Sequence, residues 1–292
     1  MTEARSNLSQ PGAEPGRRRM VVAALAGGFA LSVQPIEAQS LITTPSTGLL
    51  AGDVSIPVAD GSMRAYRAQP DGRSALPTVL VVQEIFGIHE HVRDVCRRLA
   101  QLGYLAIAPD LYARQGDPTR ISEVKTLIAD IVSKVPDSQV MSDLDATARW
   151  AADHGGDAAK LAITGFCWGG RITWMYSAHN PAVKAGVAWY GGLVREATPL
   201  SPRHPIDIVD ALKAPVLGLY GGADSGIPNE TVERMQAALK ASSNPVAQAS
   251  TIILYPDTPH GFYADYRPSY REKQAADGWV QLQYWLQRHG VS

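Results

Sequence analysis

The chain reads as an α/β fold, with a mostly parallel central sheet covered by helices on both faces. Short apolar runs rich in branched residues alternate with longer segments of helical period. Pro and Gly fall between the periodic segments, where turns belong. The 292 residues, 45% of them hydrophobic, suffice for one large domain, and no linker-like stretch divides them.

In chain order, runs at 54–58 and 63–67 are spaced as an antiparallel hairpin at the sheet edge. Strands follow at 78–83, 104–108, 161–164, 185–190, 216–220 and 251–255, each a brief run of residue types that fit a pleated surface. Between them, apolar positions recur at helical spacing over 91–102, 142–153, 170–178, 229–240 and 272–287. In the first of these helices Val92, Val95, Cys96, Leu99 and Leu102 share a face, which predicts a buried Cys96. In such sheets the working residues lie at the C-terminal ends of the strands.

Residues 1–40 stand apart from this pattern. A polar leader ends in Arg17-Arg18-Arg19, an uncharged run spans 20–33, and a small-residue cleavage point follows Ala38. That order describes an export signal of the twin-arginine type. The run is shorter than the ~20 residues needed to span a bilayer. The expectation is a leader over 1–40 that engages the twin-arginine export machinery and a single domain over 41–292. The cleaved product would be periplasmic, with no stable membrane association; an anchored or cytoplasmic protein is the alternative. Net charge is −1 and evenly spread, which excludes the basic footprint of a nucleic-acid binder. Small molecules are the expected partners.

Gly165-Phe166-Cys167-Trp168-Gly169 sits between a predicted strand and a predicted helix. Strand, tight turn and helix form the context in which a Gly-x-nucleophile-x-Gly elbow works. Small flanking residues let the backbone turn sharply and present the sulfur. A helix N-terminus then favours thiolate over thiol. The competing reading is a small buried cysteine, a common fate of free cysteine. A disulfide with Cys96 is not expected, because an elbow apex and a helix underside face different spaces.

Further along, the strand at 216–220 runs into Gly221-Gly222-Ala223-Asp224, and the strand at 251–255 into Pro256-Asp257-Thr258-Pro259-His260. Nucleophile, acid, histidine is the chain order of α/β hydrolases. His260 is thus the candidate base for Cys167, and Asp224 the residue that orients it. Asp257 and Asp110 are rival acids. An oxyanion hole needs two donors, for which the N–H groups of Trp168 and Ile85 are the candidates.

Four segments together carry a family resemblance: Gln83-Glu84-Ile85-Phe86-Gly87, Pro109-Asp110-Leu111-Tyr112-Ala113-Arg114, Gly165-Phe166-Cys167-Trp168-Gly169-Gly170 and His260-Gly261-Phe262. Over roughly 50–290 the chain resembles the dienelactone hydrolase family. The resemblance implies an α/β-hydrolase fold, no cofactor, and hydrolysis of a small ester or enol lactone through a Cys-His-Asp triad and an acyl-enzyme. It also implies that Glu84 lies near the nucleophile, quiets it at rest and assists its deprotonation. A carboxylate beside a thiol disfavours a second negative charge, which makes that role physically sound.

The chain departs from the family where substrate is held. The arginine expected four residues after the histidine is Ala264, and Arg267 is the nearest replacement. Arg171 and Arg114 are further candidates for an anionic group, and Trp168 and Tyr190 for pocket walls. A thioesterase or amidase on the same triad is the alternative enzyme, and a non-catalytic binding module the alternative to an enzyme. His89-Glu90-His91 resembles a ligand cluster, but residues two apart on a helix diverge and His-Glu-x-x-His is missing, so no metal is expected.

Overall fold

The computed structural model describes residues 43–292, so the export leader expected over 1–40 lies outside the described residues. An eight-stranded sheet runs in the order β1-β2-β4-β3-β5-β6-β7-β8. Its strands are β1 (Leu49–Val58), β2 (Gly61–Pro70), β3 (Leu76–Val82), β4 (Leu105–Pro109), β5 (Gly156–Phe166), β6 (Val183–Trp189), β7 (Val216–Gly221) and β8 (Thr251–Tyr255). β1 and β2 form the expected antiparallel edge hairpin, β2 is antiparallel to β4, and every other pairing is parallel. This is the α/β-hydrolase architecture.

The helices are α1 (Glu90–Gln101), α2 (Val124–Asp130), α3 (Asp137–Asp153), α4 (Trp168–His179), α5 (Asn229–Ala241), α6 (Pro245–Ala249) and α7 (Glu272–Arg288). Alternation along β6 shows the two helical layers. A Cβ on Gly186 would meet Ser177 of α4 at 2.6 Å, while Trp189, an odd number of residues later, packs under Gly278 of α7, whose Cβ would meet its ring at 2.7 Å. Opposite faces of one strand therefore carry opposite helices. The central β4 and β7 are buried along their whole length, as expected of strands covered on both sides.

Two differences from the sequence pattern have plain causes. β5 begins five residues earlier than its apolar run, because residues 156–160 (Gly-Asp-Ala-Ala-Lys) are too polar and small to signal a strand. α2 and α6 carry no periodic signal, since seven and five residues are too short to establish one.

Candidate active site

Cys167 occupies the turn between β5 and α4 with φ +55° and ψ −113°. That conformation is strained for a residue with a Cβ and is held by its surroundings. The Cys167 N–H donates to Trp189 O at 3.0 Å, and the Gly170 N–H donates to Cys167 O at 3.0 Å. The flanking glycines are steric necessities: a Cβ on Gly165 would lie 2.3 Å from Gly169 O, and one on Gly169 would lie 2.4 Å from Val82 O. The elbow helix is thus pressed against the end of β3, where the loop bearing Glu84 and Ile85 begins.

β7 and β8 deliver the other two residues. The Nδ1 of His260 stands 2.6 Å from Asp224 Oδ2, with both side chains buried. Asp224 Oδ1 accepts from the Gly226 and Ile227 N–H groups at 2.8 and 3.1 Å, which fixes the carboxylate. The imidazole is also in electrostatic contact with Cys167. Burial works against a charged His260, but Asp224 and then Cys167 outweigh it and push its pKa up to about 10. The rival acids lie elsewhere. Asp110 pairs with Arg64 at 3.1 Å, and Asp257 is an exposed turn residue with φ +54°.

Cys167 is only 1% exposed, yet its neighbourhood is polar. Besides His260, the residues in electrostatic contact with it include Arg267, Arg195, Tyr112 and Tyr190. Among the described residues, the N–H groups of Ile85 and Trp168 donate to no protein acceptor. Trp168 follows the nucleophile directly, and Ile85 lies on the loop after β3, whose end packs on the elbow helix; such donors suit a developing oxyanion.

Glu84 is buried in a tight cluster. Its Oε2 accepts from Tyr266 OH at 2.8 Å and Arg267 at 2.9 Å, with His89 Nε2 at 3.8 Å. Burial alone would raise its pKa, but Arg267 and the two histidines His89 and His91 reverse this and hold it well below the carboxylate range. The Arg267 guanidinium is sandwiched over Phe86 and Tyr266, each 4.9 Å from the ring centroid. The loop is pinned from behind. Asp265 pairs with His91 at 3.1 Å and with Arg98, which also donates to Tyr263 OH at 3.3 Å. His89 and His91 therefore serve this carboxylate cluster.

The other arginines are engaged elsewhere. Arg171 grips Asp137 through two 2.7 Å bonds, His204 Nδ1 at 3.0 Å and Arg203 O at 2.7 Å. Arg114 bridges Asp60 and Asp143. Arg195, absent from the sequence reading, lies on the loop after β6 and is solvent-accessible. Its guanidinium folds over Gly192, where a Cβ would come within 2.4 Å of Nε. The only sequence signal for it was position, past the C-terminal end of a strand. Tyr190, at the same strand end, is buried edge-on to His260 with ring centroids 5.0 Å apart. Trp168 stacks obliquely on Tyr112 at 5.0 Å.

The family model for "Dienelactone hydrolase family" matches residues 63–290. A protein from Methylorubrum extorquens named "Putative carboxymethylenebutenolidase" is 56% identical over 277 residues, covering 94% of both chains. A crystal structure described as a "Putative Dienelactone Hydrolase" from Klebsiella pneumoniae subsp. pneumoniae superposes with a TM-score of 0.79 at 57% identity, covering 82% of this chain and 98% of that one. A protein from Bradyrhizobium named "Probable 2-oxo-3-(5-oxofuran-2-ylidene)propanoate lactonase" is 31% identical over 234 residues, covering 78% of this chain and 90% of its own.

Proposed function

This chain belongs to the dienelactone hydrolase family, and on that premise we propose that it hydrolyses a small carboxylic ester or enol lactone by acyl transfer to Cys167. The observation that carries the reading is the constellation itself: Asp224 2.6 Å from His260, whose imidazole is in electrostatic contact with an elbow cysteine. The pair moves the thiol proton to the imidazole and leaves a thiolate to attack the substrate carbonyl. The oxyanion is met by the N–H groups of Ile85 and Trp168. Collapse of the tetrahedral adduct expels the alkoxide or enolate, which takes the proton from His260. Water, activated by the now neutral imidazole, then hydrolyses the thioester.

Glu84 sets the resting electrostatics of this step. Its negative charge, balanced by Arg267, opposes a second negative charge on the elbow sulfur. Because Arg267 is committed to Glu84, an anionic substituent on the substrate falls to Arg195, the accessible cation in electrostatic contact with Cys167. The carboxylate in the name of the lactonase relative agrees with a substrate of that charge. Arg195→Gln is expected to raise KM for a carboxylated lactone about 10- to 100-fold, the loss of one charged hydrogen bond. An unchanged KM would remove Arg195 from substrate binding.

Cys167→Ala decides the mechanism. Hydrolysis of p-nitrophenyl esters and enol lactones should fall by about 10⁴-fold or more, with the thermal unfolding midpoint near that of the wild type. Brief exposure of the wild type to an activated ester, followed by peptide mapping, should find the acyl group on Cys167. Equal turnover by the variant, or an acyl group elsewhere, defeats the proposal.

A further inference from the structure

Tyr190 combines two unfavourable features. Its φ of +38° lies in the left-handed region, a strained conformation for an aromatic side chain. Its side chain is 0% exposed and its hydroxyl has no hydrogen-bond partner among the described residues. A buried donor left unmatched is destabilising. Other buried tyrosines avoid this: Tyr104 donates to Val291 O at 3.1 Å, Tyr176 to Asp145 at 2.9 Å, Tyr266 to Glu84 at 2.8 Å, and Tyr220 accepts from Trp174 at 3.1 Å.

Local packing imposes the conformation and aims the ring. The Tyr190 N–H donates to Leu219 O at 2.8 Å, and the following Gly191 is pressed onto the elbow helix, where a Cβ would lie 2.3 Å from Arg171 N. The ring then meets His260 edge-on at 5.0 Å and Phe262 at 5.3 Å. Burial pushes the phenol pKa far above its ordinary value, with Glu84, Tyr266 and Cys167 adding to the rise and Arg267 opposing it. The hydroxyl stays protonated and so keeps a proton to donate.

We propose that Tyr190 donates a hydrogen bond to the leaving-group oxygen as the acyl–oxygen bond breaks. The inference rests on the Cys167 acyl-transfer reading. When the tetrahedral adduct collapses, the carbon–oxygen bond breaks and its electron pair passes to the departing oxygen. His260 gives that oxygen its proton, while Tyr190 shares its own proton and keeps it. The ring packs edge-on against His260, which sets the phenol beside the imidazole that protonates this oxygen. The acyl oxygen faces the backbone donors of Ile85 and Trp168. A hydrogen bond unmade at rest and strongest as charge develops lowers the barrier without tightening the ground state.

The test is Tyr190→Phe, assayed by kcat/KM on phenyl acetates of graded leaving-group acidity, with thermal unfolding of the same samples. Losing the hydroxyl should reduce kcat/KM about 10²-fold on the least acidic leaving group, as for other transition-state donors, and much less on p-nitrophenolate. The unfolding midpoint should be equal or higher, because an unmatched polar group has been removed. A loss uniform across the series, no loss, or a clearly lower midpoint overturns the proposal. Wild-type turnover that persists in Cys167→Ala removes the parent reading instead.

Discussion

Two aspartate–histidine contacts of almost equal length stand on opposite rims of the sheet. At the rim where the strands end, His260 lies 2.6 Å from Asp224, with both side chains 1% exposed. At the rim where they begin, His179 lies 2.8 Å from Asp145, with side-chain exposures of 42% and 28%. The second pair lines a groove of about 360 Å³ with Arg149 and Asn180. Its carboxylate is shared with Tyr176 OH and Asn180 Nδ2, each at 2.9 Å, and among the described residues lining the groove there is no cysteine or serine. Contact distance therefore does not make a relay. Water screens the lower pair, whereas burial makes the upper imidazole depend on Asp224 and Cys167 for its charge.

The comparison breaks most sharply at Asp224. Asp224→Asn removes the charge that holds the imidazolium, and kcat/KM should fall about 10³- to 10⁴-fold. The pH profile should change with it. His260 needs its proton to release the leaving group, and its pKa is raised to about 10. Wild-type kcat/KM should therefore hold through neutral and mildly alkaline pH and decline as the pH approaches 10. In Asp224→Asn that alkaline limb should shift down toward the ordinary histidine value of 6.5. An alkaline limb that stays in place would mean that Asp224 does not set the imidazole's charge.

Glu84 sharpens the comparison by showing burial acting on a carboxylate and its cation. Glu84→Gln leaves the Arg267 guanidinium enclosed without its counter-charge, a loss of about 3 kcal/mol at neutral pH. The Glu84 carboxyl is held below its ordinary 4.5. Its stabilising contribution is thus complete above that value and is lost as the pH falls beneath it. Thermal unfolding should show the wild-type midpoint dropping more steeply below pH 4.5 than that of Glu84→Gln. Parallel acid limbs would show that the carboxylate is not held by this cluster.

What the sequence shows and what it hides follow from the range of the interactions involved. β7 and β8 are legible because each is a short apolar run, and both end within one residue of the expected position. Cys167, Asp224 and His260 could be read together because a parallel sheet brings strand ends to one rim whatever their separation in the chain. Arg267 was visible only as a cation near the histidine. Its pairing with Glu84 spans 183 residues and depends on a loop pinned by Asp265, His91 and Arg98, which no local pattern records. Arg171 illustrates the converse: it lies four residues from the nucleophile, yet its donors turn away to Asp137 and His204. The positive φ of Tyr190 is equally hidden, because tyrosine gives no hint of a left-handed backbone.

The smallest expected effect lies on the opposite rim. Asp145→Asn keeps an acceptor for Tyr176 and swaps a partly exposed His179 contact for a neutral hydrogen bond, so stability should change by less than about 1 kcal/mol. The groove and the relay are separated by the depth of the sheet, and no charged group is shared between them. Ester kcat/KM should then match the wild type within about twofold, and sites this far apart should combine additively in the double variant with Asp224→Asn. A large activity loss on its own, or a double variant clearly different from the sum of its parts, would mean that the sheet transmits between its rims. The two histidines would then have to be understood as one system.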